Sequence, residues 1–169
     1  MKSIFRPATL GGIEAASRNL PNYKATAETM LGALVKLDDV NKTFTTVASV
    51  DEAKVAKYAV WQYLNADAYS VLGEGSNYHT VKAGEFGRLI YLPALVGFKH
   101  GVEIGGDIIA TGTYEVGNTL VANKDGKYEK AIDASDYAVS LVIREIIEEY
   151  DFTRYICEVV TDNASSTSI

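Results

Sequence analysis

Short apolar runs separated by turns rich in Gly, Asp and Asn recur from about residue 30 onwards. The clearest example is TLVANKDGKYEKA, residues 119–131, in which Asp125-Gly126 lies between two alternating segments. Asp-Gly in this setting is a strong short-range signal for a β-hairpin, because both residues tolerate the positive φ of tight hairpin turns. The pattern therefore predicts antiparallel strands that are neighbours along the chain.

The same pattern predicts about eight to ten short strands in total. A hairpin is expected over residues 31–47 around the turn DDVNK, and further strands are expected at residues 58–64, 78–81, 86–92, 102–104 and 107–111. In YAVWQYL, residues 58–64, alternation places Tyr58 and Val60 on one face and Ala59 and Trp61 on the other. Residues 51–57 are predicted to be a single helical turn or a loop, and residues 94–98 a bend or a short edge strand.

Two interpretations are open for AVSLVIREIIEEY, residues 138–150. Its acidic end is compatible with a helix, whereas Val139, Leu141 and Ile143 recur with period two, as strand residues do. Residues 155–160 alternate in the same way. We predict two antiparallel strands joined around residues 149–151, and a helix over residues 139–149 is the alternative.

These elements predict three regions. Residues 1–30 are broken by Pro7, Gly11-Gly12 and Pro21 and have few apolar residues to bury, so we interpret them as an extended N-terminal arm that lies on another molecule. A terminus that packs on its own domain, or is mobile, is the alternative. Residues 31–160 are predicted to form a compact antiparallel β-barrel or sandwich, and the polar residues 161–169, TDNASSTSI, a flexible tail.

Composition and charge argue against several classes of protein. The 169 residues carry a formal net charge of -6, which disfavours binding to a phosphate backbone, so no nucleic-acid partner is expected. No apolar run approaches the roughly 18 residues that span a bilayer, so no membrane role is expected. A single cysteine, Cys157, excludes an intramolecular disulfide and a cysteine-built metal site.

No residue pattern indicates catalysis. His79 and His100 lack the spacing of a metal site or a catalytic motif, and the clusters at residues 38–39, 133–136 and 148–151 match solvated turns. Cys157 lies in an apolar alternating run, as an inert buried cysteine does. We therefore predict no catalytic residue, no metal and no cofactor; an enzyme would need a pocket in which His79 or His100 meets a carboxylate.

Several segments carry a resemblance to a known class of protein. They are GALVKLDDVNKTFTTV (residues 32–47), VKAGEFGRL (81–89), KHGVEIGGDII (99–109), TLVANKDGKYEKA (119–131) and the closing strand pair (139–160). Together they resemble the capsid decoration, or cement, proteins of tailed bacteriophages. The resemblance implies a non-enzymatic β-barrel protein, made in the host cytoplasm, that lies on the capsid surface of the virion.

The resemblance also implies partners. Proteins of this class bind the major capsid protein at junctions between its subunits, often as trimers, so a homo-oligomer is expected. Phe5, Arg6 and Leu10 are the expected capsid contacts, because they are apolar or cationic residues in the weakly packed N-terminal region. The main alternative is a carbohydrate- or ligand-binding β-domain, such as a head-fibre or tail component, that uses exposed Tyr58, Tyr63 and Tyr69 around a cleft.

Overall fold

The predicted strands form a closed barrel and a six-stranded sheet, so the mainly β fold class is confirmed. The computed structural model describes residues 3–8, 20–63, 80–149 and 152–161. Its strands are β1 (Ser3–Pro7), β2 (Leu20–Ala25), β3 (Thr29–Met30), β4 (Leu34–Asp38), β5 (Thr43–Thr46), β6 (Tyr58–Tyr63), β7 (Thr80–Val81), β8 (Phe86–Tyr91), β9 (Val102–Gly106), β10 (Thr119–Ala122), β11 (Tyr128–Lys130), β12 (Val139–Glu149) and β13 (Phe152–Thr161). Helix α1 is Val50–Val55, and a short 3-10 helix is Leu92–Leu95.

Five strands close the barrel in the order β2-β5-β4-β6-β8, because β8 pairs back onto β2. The predicted hairpin of residues 31–47 is confirmed as β4 and β5, which pair antiparallel. The β2–β5 pair is parallel, whereas β2 pairs with β8 antiparallel. Among the residues whose side chains are described, seven buried ones form a cluster inside the barrel: Tyr23, Ala25, Val35, Phe44, Val60, Val81 and Leu89.

The sheet has the order β1-β9-β13-β12-β10-β11 and is antiparallel throughout. Of the two interpretations of residues 138–150, the strand is confirmed for Val139–Glu149. Leu141 and Ile143 face the core opposite Val159 and Cys157. A bulge between Ile143 and Glu145 then shifts the register, so that Ile146 again packs towards the core. The bulge is why the alternation breaks at this point in the sequence.

The barrel wall and the sheet share one hydrophobic core. Val60 points into the barrel, whereas its neighbour Ala59 points towards the sheet, and neither side chain is exposed to solvent. The alternation predicted for β6 is therefore confirmed. Because wall residues such as Ala59 and Ile90 pack in one cluster with Ile104 and Leu141 of the sheet, the two layers are joined by apolar contacts.

Parts of the N-terminal region belong to this β structure. Strand β1 pairs with β9 at the edge of the sheet, and β2 is a barrel strand. Ser3–Pro7 and Leu20–Ala25 therefore pair with other strands of the same chain, which is the alternative given above for this region. Residues 9–19 and the predicted tail residues 162–169 lie outside the described part of the chain.

Three local predictions have different outcomes. Residues 51–57 contain the predicted helical turn, α1, whose cap residue Ser49 accepts a hydrogen bond from the Glu52 N–H at 3.1 Å. Residues 94–98 are predicted to bend or to form an edge strand, and the chain bends there: the 3-10 helix Leu92–Leu95, with Pro93 in its first turn, leads into a turn at Val96 and Gly97. The strand predicted at residues 107–111 is wrong, because Gly106, with φ +72°, turns the chain away and leaves one bridge, Ile109 to Tyr128.

Candidate functional site

The predicted capsid contacts do not form one surface in the described structure. Phe5 is 4% exposed and packs in the shared core, where its Cβ lies close to Gly32. Arg6 lies in β1 opposite Glu103, and Leu10 is outside the described residues. Phe5 thus has a packing role in this chain, while capsid binding through this region stays a prediction.

Several of the described titratable groups have structural partners. His100 lies half-buried in the turn before β9, whereas His79 is outside the described residues. Asp38 accepts hydrogen bonds from the backbone of Asn41 and Val40, and those from Asn41 lower the pKa of this carboxyl most. Buried Glu103 is paired with Arg154 at 2.7 Å. Such contacts are typical of turn and packing roles.

The described residues contain neither a metal-ligand cluster nor a membrane-spanning helix. No group of three or more His, Cys, Asp or Glu side chains there is placed to hold a metal ion. Among the helices of the described part, none has the length and apolar character needed to cross a bilayer.

Cys157 is buried at the centre of β13, as predicted for an inert cysteine. Burial raises the pKa of its thiol to about 12, from 9.0 for an exposed thiol, because the thiolate would lose its hydration. The thiol is therefore protonated at neutral pH.

Because the Cys157 thiol is buried, we expect the free energy of unfolding to fall at alkaline pH. Above pH 9 the thiol ionises in the unfolded chain but stays protonated in the folded chain until about pH 12. Deprotonation therefore favours unfolding, and the stability present below pH 9 is lost as pH rises through this window. Cys157→Val should make the fall in unfolding free energy shallower by up to about 1.4 kcal/mol per pH unit. Urea unfolding between pH 8 and 10.5 measures this, and equal slopes in both proteins would contradict it.

One mouth of the barrel carries a group of tyrosines. The rings of Tyr58 and Tyr91 lie 5.1 Å apart between centroids at an angle of 45°, and burial raises the pKa of Tyr58. The Tyr23 hydroxyl donates a hydrogen bond to Asp39, which raises the pKa of Tyr23. A groove of about 370 Å³ runs from Tyr58 and Asp39 along α1. The side chain of Tyr63, and all of Tyr69, lie outside the described part, so the predicted three-tyrosine cleft is untested.

A larger cavity, of about 660 Å³, lies between the barrel and the turn that joins β10 to β11. We call it the junction cavity. Its lining combines an apolar base, two threonine hydroxyls and four charged side chains: Glu28, Met30, Ala33, Thr46, Val47, Ala48, Thr80, Ile108, Lys124, Asp125 and Lys127. Its volume is in the range of small-molecule sites, and its mixed lining can contact both apolar and charged groups.

The turn at this cavity is held by hydrogen bonds from one side chain. The Asn123 Oδ1 atom accepts from the backbone N–H groups of Asp125 at 2.9 Å and Lys127 at 3.2 Å, and its amide donates to Glu129 at 3.1 Å. The turn is also tied to the barrel, because the Leu34 N–H donates to the Gly126 carbonyl at 3.2 Å. The backbone that carries the charged side chains of this turn is therefore held in one conformation.

Sequence reasoning missed the junction cavity. Its lining comes from segments as far apart as residues 28 and 127, and no short motif joins them. The one local signal was Asp125-Gly126, which was correctly predicted as the hairpin turn but not as the rim of a cavity.

Comparison with protein-family models and with curated protein sequences finds no match to this chain.

Proposed function

We propose that this protein is a structural component of a tailed-bacteriophage virion that binds the outside of the capsid and stabilises contacts between major capsid subunits. The proposal starts from the resemblance of residues 32–160 to decoration proteins. One structural observation supports it above the others: the segments that carry the resemblance lie in a barrel and a sheet that share one core.

A shared core suits such a task. A protein that holds capsid subunits together must transmit force between its contacts without deforming. Wall strand β6 is buried on both faces, since Val60 packs inside the barrel and Ala59 against the sheet. Closely packed interiors of this kind have low compressibility.

Binding to the assembled shell stabilises it by mass action, because only the assembled state offers the complete binding site. Each copy needs only a modest interface, since many copies act together on one shell. The net charge of -6 also disfavours adhesion to the packaged DNA.

Co-sedimentation tests this proposal. Purified protein is mixed with mature capsids of candidate tailed bacteriophages that have been stripped of accessory proteins, and bound protein is measured after centrifugation. We expect saturable binding and a higher melting temperature of the shell, with light scattering reporting an oligomer. A monomer that binds none of the shells and leaves their melting unchanged would overturn the proposal.

The N-terminal contact is tested by a double variant, Arg6→Glu with Leu10→Asp. Phe5 is left intact because it packs in the core. We expect capsid binding to fall at least about tenfold, which corresponds to 1.4 kcal/mol. The melting temperature of the free protein is measured beside it, because a glutamate at position 6 would lie opposite Glu103 in the β1–β9 pair. Lys99→Glu is the control, since it reverses an exposed charge elsewhere. Unchanged binding by the double variant would eliminate this contact but not the capsid-binding function.

A second candidate function is carbohydrate binding at the tyrosine-lined barrel mouth. The adjacent rings of Tyr58 and Tyr91, beside the groove that Asp39 helps to line, favour it. A glycan array should then show binding that Tyr58→Ala abolishes and Tyr58→Phe, which keeps the ring, retains. If the native protein binds no glycan, this candidate is removed.

A further inference from the structure

We propose that the junction cavity binds a small zwitterionic ligand, with a carboxylate and an ammonium group at the two ends of a short apolar chain. This inference goes beyond capsid binding and does not depend on it. It rests on the size of the cavity, the charges of both signs in its lining that form no ion pair with another described residue, and the turn, held by hydrogen bonds, that carries three of them.

The base of the cavity suits an apolar chain. The half-buried Met30 and the exposed Ala48 offer it accessible apolar surface, and Val47 and Ile108, which are almost completely buried, form the floor beneath them. The hydroxyl-bearing side chains of Thr46 and Thr80 lie in the same lining and can hydrogen-bond to a polar ligand group. A volume of about 660 Å³ admits a ligand with several methylene groups.

The charged residues select the ends of the ligand. Lys124 and Lys127 supply two ammonium groups, and Glu28 and Asp125 supply two carboxylates. Across the described ranges, none of these four side chains takes part in an ion pair. A ligand with a single charge would meet attraction from one pair and repulsion from the other, whereas a zwitterion can match both pairs.

The backbone around the cavity is already ordered, which reduces the entropy that the site loses when a ligand binds. Gly126 packs so closely on the barrel that a Cβ atom there would lie 2.7 Å from the Thr46 side chain. The Asn123 side chain fixes the backbone N–H groups on either side of Gly126. A site that is already ordered loses less entropy on binding, so more of the contact energy appears as affinity.

Three probes test the ligand class by calorimetry on the full chain: ε-aminocaproate, caproate and hexylammonium. These have the same chain length and differ in charge at the two ends. We expect ε-aminocaproate to bind at least about tenfold more tightly than either singly charged probe. Equal affinity for all three, or no saturable binding of ε-aminocaproate up to about 10 mM, would overturn the proposal.

Variants then locate the site. Lys124→Met with Lys127→Met should remove the preference for ε-aminocaproate over hexylammonium, because the carboxylate loses its partners. Lys130→Met is the matched control, since Lys130 is exposed on β11 and does not line the cavity. Ala48→Trp, at an exposed lining position, should block binding by filling the space. Circular dichroism confirms that each variant is folded, and unchanged binding in both lining variants would contradict this location.

Discussion

Gly126→Ala should destabilise the protein by about 2–5 kcal/mol, which is a large effect for adding one methyl group. Two causes add at this position. Gly126 has φ +71°, a conformation that costs an L-residue about 1–2 kcal/mol. The new Cβ would also lie 2.7 Å from the Thr46 side chain and 3.0 Å from the Leu34 carbonyl oxygen, and overpacking of this kind costs about 1–3 kcal/mol. Urea unfolding at neutral pH measures the total.

Gly117→Ala separates the two causes. Gly117 has a similar backbone conformation, with φ +90°, but its Cβ would have no atom within 4 Å in the described part of the chain beyond its own sequence neighbours. We expect this variant to lose only the conformational part, about 1–2 kcal/mol. Equal losses in the two variants would show that the contact between the β10–β11 turn and the barrel contributes nothing to the effect.

Ile104→Ala should also cost about 2–5 kcal/mol of unfolding free energy. Ile104 lies on β9, between β1 and β13, and its side chain is completely buried in the shared core. Shortening it removes apolar contacts and leaves a cavity that neighbouring strands can fill only partly, because their backbones are hydrogen-bonded on both sides of β9.

The matched substitution is Ile132→Ala, which removes the same atoms from a fully exposed side chain. Its cost should stay within about 0.5 kcal/mol, since nothing is buried there. Chemical denaturation of both variants makes the comparison. A similar loss in the two proteins would mean that burial in the shared core is not what stabilises the position of Ile104.

Prediction of strands and turns from the sequence succeeded where neighbouring residues alone specify the element. The Asp125-Gly126 hairpin, the hairpin of β4 and β5 and the alternating faces of β6 follow from residues that are neighbours in sequence. It failed at residues 107–111, where apolar residues suggested a strand. There the positive φ of Gly106 redirects the backbone, and only Ile109 forms a bridge. A glycine in the sequence indicates a possible turn, but the sequence around it does not determine whether its φ is positive or negative.

The candidate sites were largely beyond prediction. Phe5 was predicted as a contact for a partner because its own segment offers few apolar neighbours. It is buried because distant residues, Gly32 and Ile108 among them, come together around it. The junction cavity likewise exists only because the β10–β11 turn docks on the end of the barrel.

The sequence by itself determined the β class, most strand positions and the main turns, because side-chain alternation and turn conformation depend on interactions between near neighbours. Only the tertiary structure decided that β2 joins β5 in parallel, that β1 lies at the edge of the sheet beside β9, and that barrel and sheet bury one common core. Those features depend on contacts between residues far apart in the chain, and no local pattern specifies which surfaces will meet.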